Sequence, residues 1–270
     1  QLFYGLIDTK IVGSTLGEGA LAAVGSVSIL YNLLTGFFNG LTLGFSIVTA
    51  RYFGAGDTEK LKKSVAGTIL LGFVTAAILV IGVFVFLRPL LSIMHVPAEQ
   101  KEMAYTYISI LVLGMFVTLA YNMCANVLRA IGDSMTPLIF LILAAVLNVI
   151  LDYVCILVFS MGVGGAAAAT VISQVVSVAL CVIHIKRHFP ILQVERRHFK
   201  LEKSEVRTML SGGLSMGMMS SLVNLGTLIL QTGINTLGTS VIVAHTAARK
   251  VFEIWGLPVT VLGAVSYTHL

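Results

Sequence analysis

Two acids in this chain lie where water is scarce. Asp8 falls in the apolar stretch Gln1 to Val12, and Asp152 falls well inside the longer run Pro137 to Phe159. A carboxylate at membrane depth is costly unless something compensates it, so it is a functional candidate by default. Asn148 precedes Asp152 by four residues, which sets both on one side of a helix. The same spacing joins Thr170 to Gln174 and Asn122 to Asn126. No Lys or Arg lies in the run that holds Asp152, so a permanent ion pair is not forced there. Such an acid holds either a proton or a cation, and the choice between them is the physical basis of ion exchange.

The competing role for these residues is structural. Amides and hydroxyls hydrogen-bond across membrane helices simply to pack them. For Asn122, Asn126 and Gln174 packing has the greater weight. For Asp8 and Asp152 the weight shifts to function, because an unpaired acid is far costlier in lipid than an amide. The expected ion and substrate site is therefore Asp8, Asp152, Asn148 and Thr170. Asn122, Asn126, Gln174 and Lys250 are candidates for the lining of one polar cavity.

Other patterns carry less. Arg249 and Lys250 stand at helical spacing from Glu253 and read as a self-neutralised group, with a cavity-facing Lys250 as the alternative. His184 and His188 are spaced like metal ligands, but beside Lys186 and Arg187 they read as a solvated helix end, and no metal site is expected. Gly162-Val163-Gly164-Gly165 matches the letters of a dinucleotide fingerprint without the strand that would give it meaning, and reads as a tight turn before a small-residue helix face. Pro258 is expected to bend the last run.

The elements that must position the acids follow from composition. Of 270 residues, 57% are hydrophobic and 11% charged, with a mean hydropathy of +0.97. Those figures exclude a soluble globule and a disordered chain. The three cysteines lie inside apolar runs, which excludes a disulfide scaffold. The fold class is all-α, a polytopic transmembrane helix bundle. After a short first run, spans are expected at Leu21–Thr49, Ser64–Leu87, Ala104–Leu128, Pro137–Phe159, Ala166–Ile185, Met209–Leu237 and Val241–Leu262. Thr136-Pro137 reads as an N-cap followed by Pro at the first helical position.

Charge orients the bundle. Arg51, Lys60, Lys62, Lys63, Arg129, Lys186, Arg187, Arg196, Arg197, Lys200, Lys203 and Arg207 sit on alternate connections and make up twelve of the seventeen basic residues. The opposite connections hold Arg88 and Lys101. The rich side is cytoplasmic by the positive-inside rule, and topology rather than nucleic acid explains the net charge of +5.

Sliding the chain by 221 residues superposes Gly5 on Gly226, Gly17 on Gly238 and Ala23 on Ala244, so that "TLGEGALAA" recurs as "TLGTSVIVA". An even number of spans separates the copies, which makes this a parallel repeat. The expected organisation is a first six-helix lobe at 1–187 with a truncated first helix, a basic cytoplasmic connection at 188–204, and the first two helices of a second lobe at 205–265. Residues 266–270 are expected to be a non-native tail, and the whole to be a fragment.

Five stretches, in order, carry a family resemblance: "LFYGLIDTKIVGSTLGEGALAAVG", "NVLRAIGDSMTPL", "NVILDYVCI", "GVGGAAAATVISQ" and "ILQTGINTLG". They resemble the multidrug and toxic compound extrusion (MATE) family, in its DinF-like bacterial branch. The resemblance implies about twelve helices in two lobes. It implies a monomeric secondary antiporter in the bacterial plasma membrane, not an enzyme. Such a protein exports small organic, often cationic compounds in exchange for protons or sodium ions, with no cofactor. It also implies that Asp8 and Asp152 are the coupling acids, with Asn148 and Thr170 beside them. Relatives that carry an acid inside the seventh helix are not matched, because Glu205 lies at its start; Ser215 stands where relatives often have Pro. Two alternatives stay open. A lipid-linked sugar flippase would want a larger cationic cavity. An intramembrane aspartyl protease would want a Gly-x-Gly-Asp motif, which Ala130-Ile131-Gly132-Asp133 lacks.

Overall fold

The computed structural model describes residues 2–269, and the side chains of residues 5, 8–222, 224–252 and 255–256. The readings placed on Glu253, Pro258 and residues 266–270 rest on side chains outside those described. The chain runs α1 (Leu2–Leu16), α2 (Glu18–Gly54), α3 (Thr58–Val85), α4 (Leu87–Ile93), α5 (Lys101–Ala130), α6 (Met135–Tyr153), α7 (Gly162–His188), α8 (Lys203–Asn235) and α9 (Thr239–His269). There is no strand among the described residues. Among the described residues six helices, α2, α3 and α5 to α8, are long and apolar enough to cross a membrane, with α5 and α6 each extended by an adjoining turn.

Local chemistry sets the helix ends. Gly56 takes φ 71°, and the Asp57 carboxylate then accepts the Lys60 N–H at 3.0 Å to cap α3. α6 begins two residues earlier than the Thr136-Pro137 pair suggests. Gly132 at φ 95° swings the chain so that Asp133, not Thr136, supplies the acceptor, taking the Thr136 N–H at 3.0 Å. Pro137 stays in the first turn, where its missing N–H loses no helical bond. At its other end α6 opens directly into a π-turn, Val154–Val158, immediately after Asp152 and Tyr153. Single π-turns of this kind gather at functional sites.

The bundle is inside-out by soluble standards. Its centre holds Ser26, Thr42, Asn148, Asp152 and Ser173, while Ile139, Ile142, Val146 and Ile150 leave an apolar stripe of α6 bare. That distribution suits a lipid surround.

α2 is the axis of the molecule, packed on α5 on one side and on α8 and α9 on the other. Small residues allow this. A Cβ on Gly40 would stand 2.4 Å from the Met216 carbonyl oxygen, and one on Gly44 2.5 Å from the Gly212 oxygen.

The repeat is visible in the backbone. Gly17 turns α1 into α2 at φ 84°, and Gly238 turns α8 into α9 at φ 92°. Repeat-related positions also meet each other. A Cβ on Gly25 would lie 2.2 Å from Thr246 Oγ1, and Arg249 Nη2 donates to Ser28 Oγ at 2.7 Å. Both pairs are 221 residues apart, so the α2–α9 crossing sits where the two copies face one another.

The basic connection after α7 is pinned to the first lobe. Leu192 is buried against the start of α3 and the end of α5, and Arg197 and His198 lie 3.6 and 3.5 Å from Glu59.

Candidate functional site

α1, α6 and α7 bring the four expected residues together. Asp8 comes from α1, Asn148 and Asp152 from one face of α6, and Thr170 from α7. Asp8 is 4% exposed and Asp152 0%. Thr170 Oγ1 donates to Asp8 Oδ2 at 3.0 Å, and Asn148 Nδ2 donates to Thr170 Oγ1 at 3.4 Å. The Asp8 and Asp152 carboxyls stand within hydrogen-bonding reach of each other. Asp8 Oδ1 and both oxygens of Asp152 receive no protein donor, and neither does Asn148 Oδ1. Two carboxyls in contact cannot both carry charge cheaply, whereas one proton between them turns the repulsion into a bond. A cation held by the same oxygens would serve equally.

Asp8 opens onto a cavity of about 330 Å³ between the lobes. Thr170 and Gln174 of α7 line it, with Tyr107 of α5 and a polar stripe of α2 that includes Ser28, Asn32 and Asn39. Asp152 and Asn148 are not part of the wall; they sit behind Asp8 and meet the cavity through it. Gln174 is both lining and glue, since Thr118 Oγ1 donates to its Oε1 at 2.6 Å.

Lys250 reaches the wall from α9. A Cβ on Gly5 would be 3.2 Å from its Nζ, and the ammonium attracts the Asp8 carboxylate. The cavity-facing alternative thus describes its position. Lys10, next to Asp8 in sequence, is exposed instead.

Asn122 and Asn126 lie elsewhere. Both are buried, but neither lines the cavity. Their face of α5 turns toward the C-terminal half of α2, where Asn126 Nδ2 donates to Thr42 Oγ1 at 2.9 Å and Asn126 Oδ1 accepts from Arg129 at 2.9 Å. His184 sits 3.5 Å from Asp133 and stacks on His188 with ring centres 4.4 Å apart, and no group of three metal-ligating side chains occurs among the described residues.

The α2 stripe went unread in the sequence although a signal existed. Ser28, Asn32, Thr35 and Asn39 recur at helical spacing inside an apolar run. Tyr31 of α2, which also lines the cavity, and Tyr107 carried no such signal, because a tyrosine in a membrane helix reads first as packing.

Known proteins resemble this chain in sequence and in fold. The sequence is 29% identical over 265 residues to the probable multidrug resistance protein YoeA of Bacillus subtilis, covering 96% of this chain and 57% of that protein. It is 22% identical to the multidrug export protein MepA of Staphylococcus aureus, covering 100% of this chain and 61% of the relative. The chain thus spans about three-fifths of the relatives it matches. An inward-facing multidrug resistance MATE family transporter superposes with a TM-score of 0.89 at 24% identity, over 96% of this chain and 59% of that one. A MATE protein in a bent conformation superposes with a TM-score of 0.80 at 26% identity, over 96% of this chain and 58% of that one. The MatE family model matches residues 1–154, a stretch that contains both acids, and with more than half of its 270 residues covered the chain belongs to the MatE family.

Proposed function

We propose that the protein is a secondary antiporter of the bacterial plasma membrane that exports small organic compounds, many of them cations, and that the Asp8–Asp152 pair couples the export to an inward flow of protons. The observation that carries this reading is the contact of two buried carboxyls, three of whose four oxygens lack a protein donor, at the wall of an interlobe cavity. A proton shared by the pair removes its charge and weakens a bound cation; loss of the proton restores the charge and the site. Sodium could occupy the same oxygens, but one proton suffices to relieve a pair of touching carboxyls.

Lys250 adds a positive charge carried by the second lobe to a site built in the first. When neither guest nor proton is bound, its attraction for Asp8 draws the lobes together over the cavity. A guest cation and Lys250 then compete for one carboxylate. Among the described residues the lining holds this single base, which suits an organic cation better than the pyrophosphate of a lipid-linked sugar.

Asp152→Asn in the transporter carrying this chain abolishes exchange while expression persists, measured as efflux of a fluorescent organic cation. Retained efflux overturns the role. Uptake into vesicles driven by a pH gradient alone, without sodium, tests the coupling ion.

A further inference from the structure

Away from the acid pair, α3, α5 and α7 part near the cytoplasmic side around a crevice of about 670 Å³. Ala120, Cys124 and Val127 of α5 form its floor, with Phe73 of α3 and Val182 of α7 on its flanks. The floor is on the face of α5 opposite Asn122 and Asn126, which turn toward α2. None of the residues that line it belongs to α2, α8 or α9, and Phe73 on its flank is 40% exposed, as suits an apolar side chain that meets lipid. Along α3 it runs from Val65 to Phe73. At the helical rise that is about 12 Å, most of one leaflet's hydrocarbon depth of roughly 15 Å.

The crevice is apolar along its length except at Thr68, whose hydroxyl donates to the Ser64 carbonyl at 2.9 Å, and polar at its cytoplasmic end, where Lys186 and Gln193 close it. The connection between the lobes builds that end. Leu192 packs against α3 and α5, and Gln193 Nε2 donates to the Lys186 carbonyl at 2.8 Å. Lys186 is exposed at this end, and Arg187, Arg196 and Lys200 are exposed in the same stretch of chain, while Arg197 is also 3.6 Å from Glu59. The nearby acid Glu195 is already engaged by Arg197 at 3.0 Å.

We infer that this crevice binds one acyl chain of an anionic phospholipid from the cytoplasmic leaflet, with its phosphate against Lys186. A groove of this chemistry cannot hold water along its length, and acyl chains are what surrounds it. The basic rim then selects the headgroup, since each basic residue near the surface favours an anionic lipid severalfold. Occupancy braces the connection between the lobes, because the residues that close the crevice belong to it.

The test uses the transporter in nanodiscs containing phosphatidylglycerol with a photoactivatable acyl chain, read by mass spectrometry of labelled peptides. Label concentrates on the segments around Phe73, Val182 and Gln193, and unlabelled phosphatidylglycerol competes better than phosphatidylcholine. Lys186→Gln, an exposed position, lowers labelling there about fivefold. Val182→Trp fills the crevice and removes it. Label spread evenly over all lipid-facing helices, equal competition by phosphatidylcholine, or labelling unchanged in Lys186→Gln overturns the proposal. So does displacement of the label by an organic cation substrate, or absence of label with a dimer covering the crevice. Efflux is not the readout, so failure of the antiport reading leaves this result standing.

Discussion

The hairpin α1–α2 and its repeat α8–α9 share a backbone plan and differ in chemistry. Each turns through a glycine at positive φ, Gly17 and Gly238. Yet the position 221 residues after Asp8 is Ile229, which is 68% exposed. In the first copy, α6 and α7 close over α1 and supply Asp152, Asn148 and Thr170. In the second copy an isoleucine at the same register can hold neither proton nor cation, whatever packs beside it. Duplication of a scaffold therefore does not duplicate a site. What α9 contributes instead is Lys250, aimed at the acid of the other copy.

The largest test of this contrast exchanges polarity at the matched positions. Asp8→Asn abolishes cation efflux from vesicles, whereas Ile229→Asn leaves it within about twofold, as befits an exposed position. Equal losses would break the asymmetry. A smaller effect is expected where the copies touch. Gly25→Thr overpacks the α2–α9 crossing and lowers thermal stability in detergent by about 1–3 kcal/mol. The swap Gly25→Thr with Thr246→Gly recovers most of that loss; no recovery would mean that the two positions do not share one space. Smaller again, Gly17→Ala and Gly238→Ala should each lose about 1 kcal/mol, because both turns demand the left-handed region. Unequal losses in the same melts would show that only one turn is strained.

The smallest effect is electrostatic and lies outside the membrane. The Lys60 backbone N–H holds the Asp57 carboxyl below its ordinary range. Since its pKa is lower in the folded state, its contribution to stability is present above the ordinary carboxylate range. It is lost as pH falls through the depressed value. Asp57→Ala should flatten that acid-side part of the stability profile, read as the difference between wild-type and variant melts across acid pH.

Much of the fold was legible because lipid is a strict solvent. It forces long apolar helices, places charge at their ends and tolerates buried acids only for cause, so spans and the two carboxylates stood out in the letters. The four-residue spacings were less decisive. Asn148–Asp152 and Asn122–Asn126 look alike in sequence, but the first pair joins Asp8 and the second packs against α2. Spacing fixes which residues share a face of one helix, and nothing in it says which helix that face will meet.

Sequence alone therefore determined the element type, the orientation expected from charge, the repeat and the identity of the acids, since each depends on local composition or on period. Tertiary structure decided that Asp8 and Asp152 touch across residues far apart in the chain, that Lys250 of the second lobe faces them, and that Asp152 sits behind Asp8 rather than on the cavity wall. Those outcomes depend on helix rotation and crossing, which are set by the small-residue contacts of α2 with α8 and α9 and by the closure of α6 and α7 over α1.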